Sequence, residues 1–260
     1  AAQIQLQLGK HDQAITSFLR AARSSDLRYY QQIARLGISS TYLLNRQPDL
    51  AANALNGWRS LFAESPFVSA AEFLSAFCQF ESGQQSLDDR GRLLSALANL
   101  HWPSESGTYG DLLKAEAWYR LGFSDVAIET LQSLAQSSDS DWFRQRALDQ
   151  LSNLLIAEAR MDMARPVLQE VIESMQPSVD PDLRLRLANL ELATGNHREC
   201  LRLCTEILSD PGSASVHGEA LKMMGNIYQG RGDHYTAALC LSGVLPETTV
   251  PAETKGPEMQ

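Results

Sequence analysis

Small residues recur along this chain at a nearly fixed interval, each just after a short polar turn and at the head of an apolar helix pattern. They are Ala14 in "GKHDQAITSFLRAA", Ala54 in "AANALNGWRSLF", Gly91 in "DDRGRLLSALANL", Ala127 in "GFSDVAIETLQSLA", Ala164 in "RMDMARPVLQEVI", Cys200 in "GNHRECLRLCTEIL" and Ala237 in "GDHYTAALCLSGVL". Successive differences are 40, 37, 36, 37, 36 and 37 residues. A period in this range is the mark of a repeat array. Four residues further on stands a larger or apolar side chain: Phe18, Trp58, Leu131, Leu168, Cys204 and Leu241, with Ser95 the exception. A second amphipathic stretch, such as "LKMMGNIYQ" or "LDQLSNLLIAEA", precedes each small residue. Apolar spacings of three and four with Gly, Asp, Ser and Pro at the breaks are helical, and strand patterns are nearly absent. The repeating unit therefore reads as helix, tight turn, helix. A small residue early in the second helix lets the first approach closely, where a Leu would clash.

The "LKMMGNIYQGRGDHYTAALCLSGVL" copy carries a family likeness. Leu221, Met224-Gly225, Tyr228, Gly232, Ala237, Leu241 and Val244-Leu245 follow the order large residue, Leu-Gly, Tyr, turn Gly, Ala, aromatic, Ala-Leu. "ARLG" ending at Gly37 repeats the Leu-Gly, and "LGKHDQAITSFLRAA" matches the second-helix half. In these features residues 1–246 resemble the tetratricopeptide repeat family. The resemblance implies an all-α fold, an α-solenoid of about six to seven stacked antiparallel helix pairs winding into a superhelix. It also implies a non-catalytic interaction scaffold that takes a peptide or protein segment in a concave groove. The family unit is 34 residues and this one is longer. Pro48 in "NRQPDLAA" suggests an expanded turn, and the copy around Gly91 lacks the aromatic.

Caps mark the boundaries. Asp139 or Ser140 is expected to open one helix, and Asp180 with Pro181 behind it another. His101–Gly110 reads as a linker or long turn. Residues 247–260 lack apolar periodicity and read as a flexible tail. The first residue is Ala, and "AAQIQLQLG" resembles the end of a helix, which suggests a fragment; a cleaved leader would leave a similar start. A second reading follows, a regulatory or oligomerising arm of a larger protein whose active domain lies elsewhere.

Composition narrows the partners. The chain has 260 residues, 44% of them hydrophobic, enough for a packed core. Its net charge of −9, with no basic run, argues against a nucleic-acid partner. No apolar run of about 18 residues is present to span a membrane. The sequence holds no GxxxxGK[ST], HExxH or GxSxG pattern, so no cofactor, metal or catalytic residue is assigned. Cys78, Cys200, Cys204 and Cys240 have no metal-ligand spacing and read as small buried residues. Trp58, Trp102, Trp118 and Trp142 read as core or interface anchors.

Gly9-x-His11, Gly195-x-His197 and Gly232-x-His234 share one shape, and three of the five His lie in it. Packed helices stand about 8–10 Å apart, too far for these turns to share a metal easily. Each reads as the turn inside a helix pair, its Gly closing the first helix in left-handed conformation.

Counting eleven back from the small residue gives Asn153, Asn189 and Asn226 in the last three copies, and Phe80 and Glu116 in two earlier ones. Asn is a poor residue inside a helix, so its recurrence calls for a reason. One acceptor and two donors let an amide bracket the main chain of an extended peptide whatever its sequence. In the resembled family this place faces the concave side. Helical spacing adds flanking residues: Asp149 and Ile156, Leu185 and Leu192, Lys222 and Gln229. Lys222-x-x-x-Asn226 is also similar to half of the family's clamp for a C-terminal carboxylate, although its other basic members are not apparent.

Overall fold

A computed structural model describes Ala2, Gln5 and residues 10–24, 28–83, 85–102, 107–138, 141–175 and 180–245. Gly9, Asp139, Ser140, the tail 247–260 and the side chains of His11 and Trp142 lie outside the described residues. All regular structure among the described residues is helical. No described helix is long and apolar enough to cross a membrane. The chain forms two compact units, Ala1–Leu151 and Ser152–Gln260.

The first unit contains α1 (His11–Ser24), α2 (Arg28–Leu44), α3 (Pro48–Leu55), the single turn α4 (Trp58–Leu61), α5 (Val68–Ser82), α6 (Leu87–Ala98), α7 (Gly107–Arg120) and α8 (Ser124–Ser137). The division falls inside α9 (Asp141–Ala157). The second unit continues with α10 (Met161–Ser174), α11 (Pro181–Ala193), α12 (His197–Ser209), a 3₁₀ segment (Pro211–Val216), α13 (His217–Gly230) and α14 (His234–Leu241).

One turn recurs between the two helices of a pair. The second residue after the first helix takes positive φ: Arg46 (57°), Gly122 (88°), Ala159 (57°), Gly195 (78°) and Gly232 (81°). The next backbone N–H reaches back five residues: Gln47 to Tyr42 (2.9 Å), Phe123 to Trp118 (2.9 Å), Arg160 to Leu155 (2.8 Å), Asn196 to Glu191 (2.8 Å) and Asp233 to Tyr228 (3.0 Å). This is the Schellman closure of a helix C-terminus, which satisfies carbonyls the helix leaves open. Gly195 and Gly232 adopt the left-handed conformation the sequence suggests. Pro48 is the first residue of α3, so the turn before it is of ordinary length and not expanded. Asp180 caps α11 as expected, accepting from the Asp182 N–H at 3.0 Å, with Pro181 at the first helical position. The span 101–110 is less of a linker than the sequence suggests, because α7 begins at Gly107.

The small residues behave as their spacing requires, with two corrections. Ala14, Ala127, Ala164 and Cys200 are fully buried and Ala237 is 3% exposed. Each is the fourth residue of its helix. That same place in α3 is Ala51, also fully buried, and not Ala54. In α6 it is Arg90, and not Gly91, which is exposed. The Arg90 guanidinium donates to Leu121 O at the end of α7, at 2.6 Å. The corrected intervals are 37, 39, 37, 37, 36 and 37. The larger residue four places on then becomes Leu55 in α3 and Leu94 in α6, so Ser95 is no exception to the pattern. Close approach explains the Leu-Gly sites too. A Cβ on Gly37 would lie 2.7 Å from Phe18 Cε1, and one on Gly225 would lie 2.8 Å from Leu241 Cγ.

In the first unit α5 is covered on most sides. Ala70, Ala71, Phe73, Leu74, Ala76, Phe77, Cys78 and Phe80 are all buried, the pattern of a helix that is apolar nearly all round. Phe73 stacks on Phe77 at 5.9 Å and meets Trp102 edge-on at 6.2 Å. α2 touches α7 as well as α5. The helix following α2 breaks at Asn56-Gly57, where Gly57 has φ 69°. α3 thus stops after eight residues, and Trp58 restarts the chain, 2% exposed and edge-on to Phe62 at 5.2 Å.

In the second unit a buried carboxylate ties successive pairs. Glu191, 1% exposed, accepts from Arg165 Nε (2.7 Å) and Asn196 Nδ2 (2.9 Å), and Arg165 Nη2 donates to Thr194 Oγ1 (3.0 Å). Arg184 pairs with Asp210 at 3.1 Å, and Asp210 caps the 3₁₀ segment through the Gly212 N–H. The Gly212 N–H and the Ser213 hydroxyl hold the Asp210 carboxyl below the usual carboxylate range. Asp233, the cap of α14, is likewise held low by Thr236.

Candidate functional site

The first helices of the second unit, the end of α9, α11 and α13, each leave a narrow stripe uncovered. At 100° per residue, Asp182, Arg186, Asn189 and Ala193 lie within one arc of α11. Asp182, Asn189 and Ala193 are exposed and Arg186 is half-buried. Leu183, Leu185, Leu187, Ala188, Leu190 and Glu191 of that helix are buried, and Pro181, Arg184 and Leu192 are half-buried. On α13 the arc holds Glu219, Lys222, Asn226 and Gly230, all exposed.

Asn153, Asn189 and Asn226 are all exposed and stand at one register in three successive first helices. Their amides differ in engagement. Asn153 Oδ1 accepts from Arg186 Nη1, a bond between neighbouring first helices. Asn189 Nδ2 donates to Leu185 O of its own helix at 3.2 Å. Asn226 has no hydrogen-bond partner among the described residues.

The flanking residues divide. Lys222 and Gln229 are exposed. Asp149, one turn before Asn153 on α9, pairs with Arg146 at 3.5 Å. Ile156 and Leu192 are half-buried. Leu185 is a correction: only 7% exposed, its side chain belongs to the core, as an apolar side chain at the edge of so narrow a stripe must. Arg186 is a residue the sequence reading missed. Its signal was a position three before Asn189, on the same face.

Phe80 is the second correction. It is fully buried in the core around α5. The misplacement follows from the anchor. Counted from Arg90 instead of Gly91, the equivalent residue is Gln79, an exposed amide with no hydrogen bond among the described residues. The burial pattern agrees, since Glu72, Ser75 and Gln79 are the positions left open in an otherwise buried stretch. Glu116 is half-buried and accepts from Arg120 Nε at 2.9 Å.

All four cysteines are free and buried. Burial pushes the Cys78 thiol up to about 12. Cys204 is raised by its hydrogen bond with Cys200 and by burial, and Cys240 by burial. His197 and His234 open α12 and α14, both exposed. Among the described residues no three His, Cys, Asp or Glu side chains come together as a metal site.

No family profile and no curated protein matches the sequence. Solved structures do match. A thermophilic TPR protein from Thermus thermophilus is 21% identical, covers 74% of this chain over 100% of its own, and superposes with a TM-score of 0.51. A MamA structure from MSR-1 is 17% identical, covers 68% of this chain and 94% of its own, with a TM-score of 0.49. With the helix pairs, the recurring Schellman turn and the small residues at its far side, the first of these likenesses identifies the fold: the chain is a tetratricopeptide-like array of helix pairs.

Proposed function

We propose that this chain is a non-catalytic interaction scaffold that binds an extended peptide or protein segment across the uncovered stripes of the second unit. Asn153, Asn189 and Asn226 contact the main chain of the partner, and Lys222, Gln229 and Arg186 flank them. The observation that supports this reading is the register of three exposed amides on successive first helices, ending in an Asn226 whose side-chain donors and acceptor are unused among the described residues. A helix interior gains nothing from Asn, whereas an extended main chain offers a donor and an acceptor at every residue. The partner is protein and not nucleic acid, because a chain of net charge −9 repels phosphate.

The test is selection of random peptides on the full chain, followed by affinity measurement on N153A/N189A/N226A. Three lost hydrogen bonds at about 0.5–1.5 kcal/mol each predict a weakening of about tenfold to a thousandfold. Melting should be nearly unchanged, because none of the three side chains is buried. Selected peptides that bind the triple variant as tightly as the parent would remove the basis for the proposal.

A further inference from the structure

The first unit contains a cleft of about 720 Å³ that the proposed function does not use. That size falls within the range of about 300–1,000 Å³ typical of ligand sites. The cleft has two origins in the sequence. The break at Asn56-Gly57 stops α3 early, so no continuous second helix covers this flank of α5. The residues that α5 and α6 turn toward the gap include Ala71, Ser75, Ala76, Ser95 and Ala96, all too small to fill it.

The walls are two matching polar ladders. Glu72, Ser75 and Gln79 on α5 and Arg92, Ser95 and Asn99 on α6 repeat the same spacing of three and four, and all six line the cleft. The floor is apolar, with Leu55, Trp58 and Ala76. Much of the polar lining is unused. Among the described residues Arg92 is exposed with no ion pair, and the side chains of Ser75, Gln79 and Ser95 make no hydrogen bond. Glu72, by contrast, already has an interaction partner. The indole N–H of Trp58, in the floor, is buried without a hydrogen-bond partner among the described residues.

From these features we propose that the cleft binds a short extended peptide segment carrying an acidic side chain. Arg92 takes the carboxylate, a pairing its planar fork suits. Gln79, Ser75 and Ser95 serve the main chain, and the apolar floor seats one side chain. Each ladder spans seven residue steps, about 10 Å at the helical rise. That length matches about three residues of extended chain at about 3.3 Å each. The site lies wholly within the first unit and is separate from the asparagine stripe of the second.

The experiment is NMR titration of the full ¹⁵N-labelled chain, read at the Trp58 indole and the Gln79 side-chain amide. The probes are the blocked pentapeptide Ala-Ala-Glu-Ala-Ala and its Gln counterpart. The Glu peptide should shift both signals in a saturable, millimolar or tighter titration. The Gln peptide, and the Glu peptide on Arg92→Ala, should bind about tenfold more weakly or worse. Ser95→Leu, which fills the opening, should abolish the shifts. N153A/N189A/N226A should leave them unchanged, so this site and the asparagine stripe can fail independently. No saturable shift up to about 10 mM overturns the proposal. So do equal affinities for the Glu and Gln peptides, or parental binding by either R92A or S95L.

Discussion

Arg165→Ala should be among the most damaging single changes outside the apolar core, and the reason is its neighbour. Glu191 is 1% exposed, and two donors serve its two oxygens, Arg165 Nε at 2.7 Å and Asn196 Nδ2 at 2.9 Å. Removing the guanidinium leaves a buried carboxylate facing one neutral amide. Breaking a buried pair from one side costs about 3–5 kcal/mol. Arg165 itself is 32% exposed, so water can enter the vacated space. The lower end of the range, about 3 kcal/mol, is therefore expected. Glu191→Gln alone should cost less, about 1 kcal/mol, because Arg165 can turn to solvent and the amide still accepts a hydrogen bond. The double variant should then be more stable than R165A, because the orphaned charge is gone. A double-mutant cycle isolates this coupling.

Repeat arrays need not unfold in one step, so the readout must be local. Hydrogen exchange of the α11 amides reports the opening of this segment. Cys200 lies on α12, against the same helix pair, and its reaction with a thiol reagent gives a second local probe. An R165A penalty under about 1 kcal/mol would refute the claim that Glu191 is held as a buried ion. Failure of E191Q to recover stability in the R165A background would refute it equally.

Three further outcomes follow from the turns, the caps and the thiols. Ala159 holds φ 57° where its counterparts are Gly195 and Gly232, so Ala159→Gly should stabilise the chain by about 0.5–1 kcal/mol after the entropy of the unfolded Gly is deducted. G195A should destabilise it by about 1 kcal/mol through backbone strain alone, since an added Cβ there meets nothing within 4 Å. Thermal melts of the two variants should move in opposite directions. Asp210 and Asp233 are held below their unfolded values, so their contribution is present above the unfolded carboxylate range of about 4 and is lost as pH falls through the lower folded values. Acid melts of D210N and D233N should accordingly be flatter than the parent's over that interval. The four buried thiols should resist a disulfide reagent at neutral pH and all react in denaturant, Cys78 with its thiol pushed up to about 12 and Cys200, lowered by its hydrogen bond with Cys204, through burial alone; reaction of any one in the native protein would contradict its burial.

The helix-pair architecture is legible in the sequence because its signals are local and repeated. Ala127, Ala164, Cys200 and Ala237 each combine a left-handed turn and a fourth-residue contact within a short stretch of chain, and repetition averages out the noise in any single copy. The same logic explains the errors. In α3 two alanines compete for one role, Ala51 and Ala54, and size alone cannot choose between them. In α6 the role falls to Arg90, which a search for small residues passes over in favour of Gly91. The turn decides: Arg46 and Gln85 take the left-handed conformation without being Gly, so the sequence shows no punctuation where the chain has it. One misplaced anchor then moves the groove position by one residue, and on a helix one residue is 100°. That rotation separates Phe80, buried in the core, from Gln79, exposed with its amide unused. Side-chain engagement is less legible still. Nothing in the spacing distinguishes Asn153, held by Arg186, from Asn226, which is open, because the difference lies in what the next helix brings. The cleft on α5 is the clearest instance. In the sequence Ser95 reads as a missing large residue, whereas that residue is Leu94 and Ser95 belongs to the wall beside it. Next to the broken end of α3 this wall becomes one side of a lined cavity, and only the fold brings the break and the small side chains together.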